Sequence, residues 1–322
     1  MINGCDKMLS PLVVIAGPTA AGKSKIAVEL ALKLNGEIIS ADSVQLYKYF
    51  NIGAAKLTLE EQKGVPHHLF DVLEPDEHFS VAQFQDLART KIKEIQERGR
   101  LPFLVGGTGL YIQSVIDSSF QFPETKGHLA IRKRLRGLWT AGKKEELYQK
   151  LKAVDPLSAE RIHPNDFRRI SRALEVYHLT GRPISSYTQE KKKSLYQLEM
   201  IGLTYKRPEL YQRIEKRVDE MFAEGLVEEV CTILNKGYSK ELKPFKTLGY
   251  KQVVKYLEGD YDLAEAVAET KKATRNYAKR QLTWFRRDDR ICWYLLQDGE
   301  DYHGVLERIM RCLCRSMNIF VE

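Results

Sequence analysis

Leu12-Val13-Val14-Ile15-Ala16 passes without a break into Gly17-Pro18-Thr19-Ala20-Ala21-Gly22-Lys23-Ser24, and the architecture of the chain follows from that junction. The apolar run, bounded by Pro11 and a glycine turn, suits a strand buried on both faces of a parallel sheet. The next eight residues satisfy G-x-x-x-x-G-K-[ST], the P-loop pattern. Its glycines let the backbone bend around a phosphate. Successive N–H groups and a helix N-terminus stabilise the phosphate charge, Lys23 bridges its oxygens, and Ser24 is placed to bind Mg2+. The loop calls for a diphosphate or longer chain, and nothing in it specifies ATP.

Working outward, a helix is predicted over Lys23 to Asn35 and a second strand over Glu37 to Ser40, ending at Asp42. Helical spacing of Phe84, Leu87, Ala88, Ile92 and Ile95 marks Val81 to Arg98, and a third strand, Pro102 to Val105, ends at Gly106-Gly107. This alternation implies a parallel sheet with right-handed crossovers, and ligands gather at the carboxyl ends of such strands, where Gly17, Asp42 and Gly107 fall. After Tyr111 the composition changes: 117–127 reads as loop. Short charged helices follow at Leu129 to Ala141, Lys143 to Val154, Pro156 to Ile162 and Phe167 to Thr180. Strand character returns at Gln197 to Leu203, then helices at Pro208 to Asn235, Leu248 to Leu257, Leu263 to Phe285 and Gly304 to Phe320, with a last short strand at Trp293 to Leu296. The expected fold is α/β, a P-loop NTPase-like parallel sheet core with helices on both faces plus a mainly helical insertion. The expected domains are 1–119 with 197–322 for the core and 120–196 for the insertion.

Composition agrees with more than one structural unit, since 322 residues exceed the usual span of a single core. With 43% hydrophobic and 29% charged residues and no apolar run of membrane length, membrane and disordered classes drop out. The N-terminal residues lack the layout of a signal peptide, so a cytoplasmic protein is expected. Cys5, Cys231, Cys292, Cys312 and Cys314 are scattered without a Cys-x-x-Cys pair, which argues against a disulfide scaffold or structural zinc. Adjacent His67 and His68 face opposite sides of regular structure, so packing or capping is the better reading than metal binding. The net charge of +8 conceals its own distribution: Lys126 to Lys193 carry an excess of +10, Lys271 to Arg287 carry +7, and the remainder is −9. Two basic patches on an acidic body are the footprint expected for a polyanion partner.

An ordinary motor or switch NTPase needs an acid at the end of its Mg2+-supporting strand, yet here that strand runs into Gly106-Gly107-Thr108-Gly109. Asp42 is the best alternative acid, as a general base or a group supporting the metal, with a helix N-cap for residues 43 onward as the plainer reading.

These segments and several others resemble the tRNA dimethylallyltransferase family, bacterial type. The resemblance rests on Ala20 to Ser24, Ser40-Ala41-Asp42-Ser43 with Gln45 and Tyr47, Ile52-Gly53 with Ala55-Lys56, and Pro66-His67-His68-Leu69 with Asp71. It continues through VGGTGLY at Val105 to Tyr111, IHPNDFRRISRALEVY at Ile162 to Tyr177, and RIEKRVDEMFAEGLVEEV at Arg213 to Val230. Gly249-Tyr250-Lys251 and YAKRQLTWFR at Tyr277 to Arg286 complete it, in order, from about residue 12 to 290. The family moves a dimethylallyl group from its diphosphate to N6 of the adenosine just 3′ of the anticodon, in tRNAs reading codons that begin with U, and releases pyrophosphate. The chain ends at Glu322 without the zinc-finger tail of eukaryotic relatives, which favours the bacterial type.

The resemblance implies roles for particular residues. Asp42 accepts a proton from the attacking amine or orients it; Thr19, Lys23, Arg217 and Ser24 with Mg2+ stabilise the departing pyrophosphate, cradled by Gly17 to Ser24. Because N6 of a stacked base is out of reach, the adenosine is expected to flip into a tunnel. Asp42, Ser43, Val44, Gln45 and Thr108 correspond to the stretches that touch it, and Arg132 is a further candidate for holding the flipped loop. Asp166, Phe167, Arg168, Arg169 and Ile170 correspond to another tRNA-contact region, as do Lys246, Thr247, Leu248, Gly249, Tyr250 and Lys251. The last region is Lys279, Arg280, Gln281, Leu282, Thr283, Trp284, Phe285 and Arg286, although Ala278, Leu282 and Phe285 also read as a core stripe. Lys191 to Lys193 read as a solvated linker run. The implied partners are the tRNA anticodon stem-loop and dimethylallyl diphosphate, with Mg2+ as cofactor, no membrane, and a monomeric state. Lys246, Ala21 and Ala55 depart from residues common in the family without removing a proposed catalytic group. Two other readings stand beside this one: a P-loop small-molecule or nucleotide kinase using Asp42 as base, and a non-catalytic RNA-binding protein with a relict phosphate loop.

Overall fold

In the computed structural model, Pro11–Ala16 forms β1 near the middle of a six-stranded parallel sheet of order β3-β2-β4-β1-β5-β6. The structure describes residues 9–118, 128–187, 193–297, 299–300 and 302–317. The other strands are β2 (Gly36–Ser40), β3 (His67–His68), β4 (Leu101–Gly106), β5 (Gln197–Tyr205) and β6 (Ile291–Leu296). Two-residue alternation explains the layers. Leu12, Val14 and Ala16 enter one apolar cluster and Val13 and Ile15 the other, so β1 is covered on both faces.

One face is covered by α1 (Lys23–Lys33) and α13 (Tyr302–Met317), which supply Ile26, Leu30, Leu306 and Ile309. The short α2 (Leu59–Gln62) lies between β2 and β3 in the chain and is closed by a Thr58–Glu61 capping box. The other face takes α3 (Val81–Glu97) and α4 (Gly109–Ile116), with Phe84 stacked on Tyr111 at 4.0 Å.

The residues within Asp117–Leu195 form a separate compact unit; those within Met1–Ile116 and Tyr196–Glu322 form the first. The smaller unit holds α5 (His128–Thr140), α6 (Lys144–Val154), α7 (Pro156–Arg161) and α8 (Phe167–Thr180) around Leu135, Leu147, Leu151, Ile170 and Leu174. Its buried Asp155 caps α7 through the Ser158 N–H and also accepts the Ser185 N–H, both at 3.0 Å. Expected loop residues 119–127, Lys191 and Lys192 and the end of the last helix at 318–320 lie outside the described residues, as does Cys5.

Back in the larger unit come α9 (Arg207–Ala223), α10 (Leu226–Asn235), α11 (Tyr250–Leu257) and α12 (Leu263–Phe285). The single helix expected from Pro208 to Asn235 is two. Gly225 adopts φ 100° between them, a left-handed conformation that ends α9 and redirects the chain. The helix expected from Leu248 starts only at Tyr250, after a second positive φ at Gly249. The helix at Gly109–Ile116 and the two-residue strand at His67–His68 had no periodic signal to reveal them. His68 Nε2 meets buried Glu37 at 2.6 Å and His67 Nδ1 meets the Val65 carbonyl at 2.8 Å.

Candidate active site

Gly22 caps α1 in the left-handed conformation, so the loop closes over the helix N-terminus as the motif requires. Lys23 Nζ donates to the Pro18 carbonyl at 2.7 Å, and Arg217, from α9, donates to Thr19 Oγ1 at 3.4 Å. Burial, reinforced by the neighbouring Arg217 charge and partly offset by Asp42, brings the Lys23 pKa down to about 7. A fall of that size corresponds to charge destabilisation on the order of 5 kcal/mol, which a bound polyanion would relieve. Burial likewise lowers the Arg217 pKa, again with Asp42 offsetting it. Two enclosed cations thus lean on neutral oxygens, and the acid whose field reaches both is Asp42.

Asp42 follows β2, and its Oδ1 accepts the Val44 N–H at 2.8 Å. A turn rather than a helix begins there, so the cap expected for a helix from residue 43 is a local turn bond. Asp42, Ser43, Val44 and Gln45 share a cavity of about 510 Å³ with Thr19, Lys23, Ser24 and Arg217. Gly106 and Gly107 permit close packing here: β4 lies between β1 and β2, a Cβ at Gly106 would overlap the Ala41 carbonyl, and one at Gly107 would overlap the Gln281 amide. The missing acid at the end of this strand is therefore a spatial requirement. Tyr277, on α12, also faces the cavity; burial raises its pKa, with Asp42 adding to the effect, and its hydroxyl interacts with Thr108 and Gln281.

With this geometry in hand, comparison with known proteins is decisive. The family model described as IPP transferase matches residues 45–288. A protein named tRNA dimethylallyltransferase from Thermoanaerobacter sp. (strain X514) is 49% identical over 97% of this chain and 100% of its own length. The chain belongs to the tRNA dimethylallyltransferase family. A tRNA dimethylallyltransferase of Geobacillus thermodenitrificans (strain NG80-2) is 47% identical, covering 97% of this chain and 99% of that one. Among solved structures, the full-length tRNA isopentenylpyrophosphate transferase of Bacillus halodurans is 44% identical with a TM-score of 0.72, covering 96% of this chain and 97% of that one. A eukaryotic dimethylallyltransferase acting on tRNA is 29% identical with a TM-score of 0.80, covering 97% of this chain and 81% of that one. The kinase reading rested on the P-loop and Asp42 alone, whereas the dimethylallyltransferase match spans nearly the whole chain.

Several residues that the dimethylallyltransferase resemblance placed at the RNA are otherwise engaged. Gln281 is buried: its Oε1 accepts the Thr19 N–H and its Nε2 donates to the Gly107 carbonyl, both at 2.9 Å. It braces the phosphate loop from a position between exposed basic residues. Phe285 and Ile170 are core side chains, 2% and 0% exposed, and Tyr250 is fully buried, so none presents a surface. Both N–H groups of the Gln45 amide go to the carbonyls of Ala54 and Ala55, at 3.1 and 3.2 Å, and its Oε1 takes the Ser40 hydroxyl at 2.7 Å. Arg132 pairs with buried Glu175 at 2.9 Å, and Asp166 caps α8 through the Arg169 N–H at 3.1 Å. Phe167 packs on Trp139.

Others are available. Lys279, Arg280, Thr283 and Arg286 are exposed along α12, with Leu282 half-buried beneath them. Trp284 is 39% exposed and lies over Gly109, where a Cβ would strike the indole. Arg168 and Arg169 are exposed on the smaller unit. Lys246, Thr247, Leu248, Gly249 and Lys251 line the cavity, Lys246 also pairing with Glu241 at 2.8 Å. Thr108 Oγ1 is buried without a well-formed hydrogen bond. Tyr277 was not singled out as a site residue, although its four-residue spacing from Gln281 puts both on one face of α12.

Proposed function

We propose that the chain transfers a dimethylallyl group from dimethylallyl diphosphate to N6 of the adenosine immediately 3′ of the anticodon, in tRNAs that read codons beginning with U. The observation that carries this reading is one cavity holding both a P-loop with two enclosed cations, Lys23 and Arg217, and a lone carboxylate, Asp42, beside Gly106 and Gly107. A diphosphate leaving group needs the first and an amine nucleophile the second.

The N6 lone pair forms a bond to the allylic carbon as that carbon's bond to the diphosphate oxygen breaks, and the amine proton passes to the Asp42 carboxylate. An aryl amine is a weak nucleophile, so holding it against the electrophile supplies much of the rate. Negative charge grows on the departing oxygen, where Lys23, Arg217 and the Thr19 hydroxyl are preorganised to receive it. Lys23 releases the Pro18 carbonyl to do so. The Ser24 hydroxyl is a hard oxygen donor suited to Mg2+ taken up with the phosphate oxygens, and no cluster of three acidic, His or Cys groups stands ready as a cage among the described residues. Such an ion would neutralise leaving-group charge. Tyr277, which lines the cavity and interacts with Thr108, is proposed to face the flipped base.

Lys279, Arg280 and Arg286 on α12, with Arg168 and Arg169, are proposed to hold the RNA backbone, and Lys246 and Lys251 to guard the mouth of the cavity. No described helix is long and apolar enough to cross a membrane. We place the enzyme in the cytoplasm as a monomer. The test is a single incubation with anticodon stem-loop RNA, Mg2+ and dimethylallyl diphosphate, followed by mass spectrometry. A gain of one C5 unit on the RNA is expected. Transfer of the ATP γ-phosphate instead, or RNA binding without a mass gain, would overturn it.

A further inference from the structure

One network beside the cavity takes no part in the steps above. Glu229, on α10, directs its carboxylate at the backbone of the 51–55 turn. Its Oε2 accepts the N–H groups of Asn51 and Ile52 at 2.9 and 2.8 Å, and its Oε1 accepts that of Gly53 at 3.3 Å. The Tyr250 hydroxyl donates to the same Oε1 at 2.7 Å and accepts the Ala54 N–H at 3.1 Å. Four consecutive amides therefore converge on one carboxylate and one phenol. A carboxylate acceptor makes these bonds roughly twice as strong as neutral ones.

The turn passes this order to the cavity wall. The carbonyls of Ala54 and Ala55 hold the Gln45 amide, and Gln45 holds the Ser40 hydroxyl, two residues before Asp42. Gly53, Ala54 and Ala55 themselves line the cavity alongside Asp42 and Gln45. Gly53 lies so close to Tyr250 that a Cβ there would stand 2.6 Å from the ring. The Tyr250 ring packs against Phe50 with centroids 4.7 Å apart, a contact that phenylalanine would make equally well. The hydroxyl is therefore surplus to core packing, and its partners are the turn and Glu229.

We propose that Glu229 and Tyr250 are positioning residues for the transfer step: through the 51–55 turn and Gln45 they hold the wall that carries Asp42 against the acceptor base. The proposal rests on the prenyl-transfer reading. It assigns no contact with substrate to either residue. What it requires is that loss of the strut slows transfer while leaving the phosphate end of the cavity intact.

The experiment uses the full-length chain, anticodon stem-loop RNA, Mg2+ and dimethylallyl diphosphate, with the wild type beside Tyr250→Phe, Glu229→Gln, Gln45→Ala and the Tyr250→Phe/Gln45→Ala double variant. A wild type that adds no C5 unit overturns the transfer reading and this proposal with it; a wild type that does isolates the strut. Misplacement of reacting groups by about 1 Å can cost on the order of 100-fold, so each single variant is expected to lower the single-turnover rate by roughly ten- to thirtyfold. Pyrophosphate affinity should stay within about twofold, and the double variant should be no slower than its slower parent, because members of one strut are not additive. An unchanged rate, a rate loss matched by an equal loss of pyrophosphate affinity, or multiplicative losses in the double variant would each overturn the proposal. Should Glu229→Gln fail to fold, Tyr250→Phe, which keeps the buried ring, decides the matter.

Discussion

Gln281 Oε1 accepts the Thr19 N–H at 2.9 Å, so the helix that shows Lys279, Arg280, Thr283 and Arg286 to solvent grips the phosphate loop with its other side. Replacing Gln281 by Ala frees the Thr19 N–H and the Gly107 carbonyl together. One net hydrogen bond is worth about 1 kcal/mol, so pyrophosphate affinity should fall by roughly fivefold, measured by calorimetry. Unchanged affinity with weakened RNA binding would return Gln281 to the RNA surface.

Asp42→Asn keeps the shape of the side chain and the turn bond to Val44 while removing the proton acceptor. The single-turnover rate should fall by about 100-fold or more, with RNA affinity within roughly twofold of wild type. Equal losses in both would make Asp42 a binding group.

Lys23 is expected to carry the pH dependence of diphosphate binding. Its pKa in the free protein is about 7, depressed from 10.5, and a bound anion favours the charged form and raises it. Affinity should therefore be flat below pH 7 and weaken as pH rises above it, by up to about tenfold per unit, with proton uptake on binding near pH 8. The folding consequence has the same origin: protonated Lys23 costs stability below pH 7, and the cost fades as pH climbs toward 10.5. Calorimetry in buffers of different ionisation enthalpy reads the uptake, and Lys23→Met, which should abolish it, separates the lysine from titration of the diphosphate itself.

Arg286→Ala should reduce the slope of log binding constant against log salt for the anticodon stem-loop by about 0.7 to 0.9, the contribution of one phosphate contact. An unchanged slope would remove this exposed arginine from the interface.

Ile170→Ala should act on folding rather than on RNA. The side chain is fully buried with Leu147, Leu151 and Leu174, so its truncation is expected to cost about 2 to 5 kcal/mol by denaturation. Arg168→Ala, two residues away and exposed, should weaken RNA binding with stability within about 0.5 kcal/mol.

What could be read locally was read well. Leu12 to Ala16 with the following loop placed the central strand, the helix Lys23–Lys33 and the carboxyl-end site, because strand pairing and loop curvature leave marks within a few residues. The helix Phe167–Thr180 is bounded where the hydrophobic period begins and ends. Contacts across long separations left no such mark. Glu229 meets Asn51 and Ile52 nearly 180 residues away, and Gln281 meets Thr19 across 262 positions, so neither partner is visible from its own neighbourhood. Gly225 could have been weighed as a helix break, but Val218, Leu226 and Val230 keep the apolar period running across it.

The glycine that closes β4 has one more consequence. Any side chain at Gly106 would press on the Ala41 carbonyl of the neighbouring chain segment, so the reach of the adjacent Asp42 carboxylate is set by a residue that has no side chain at all.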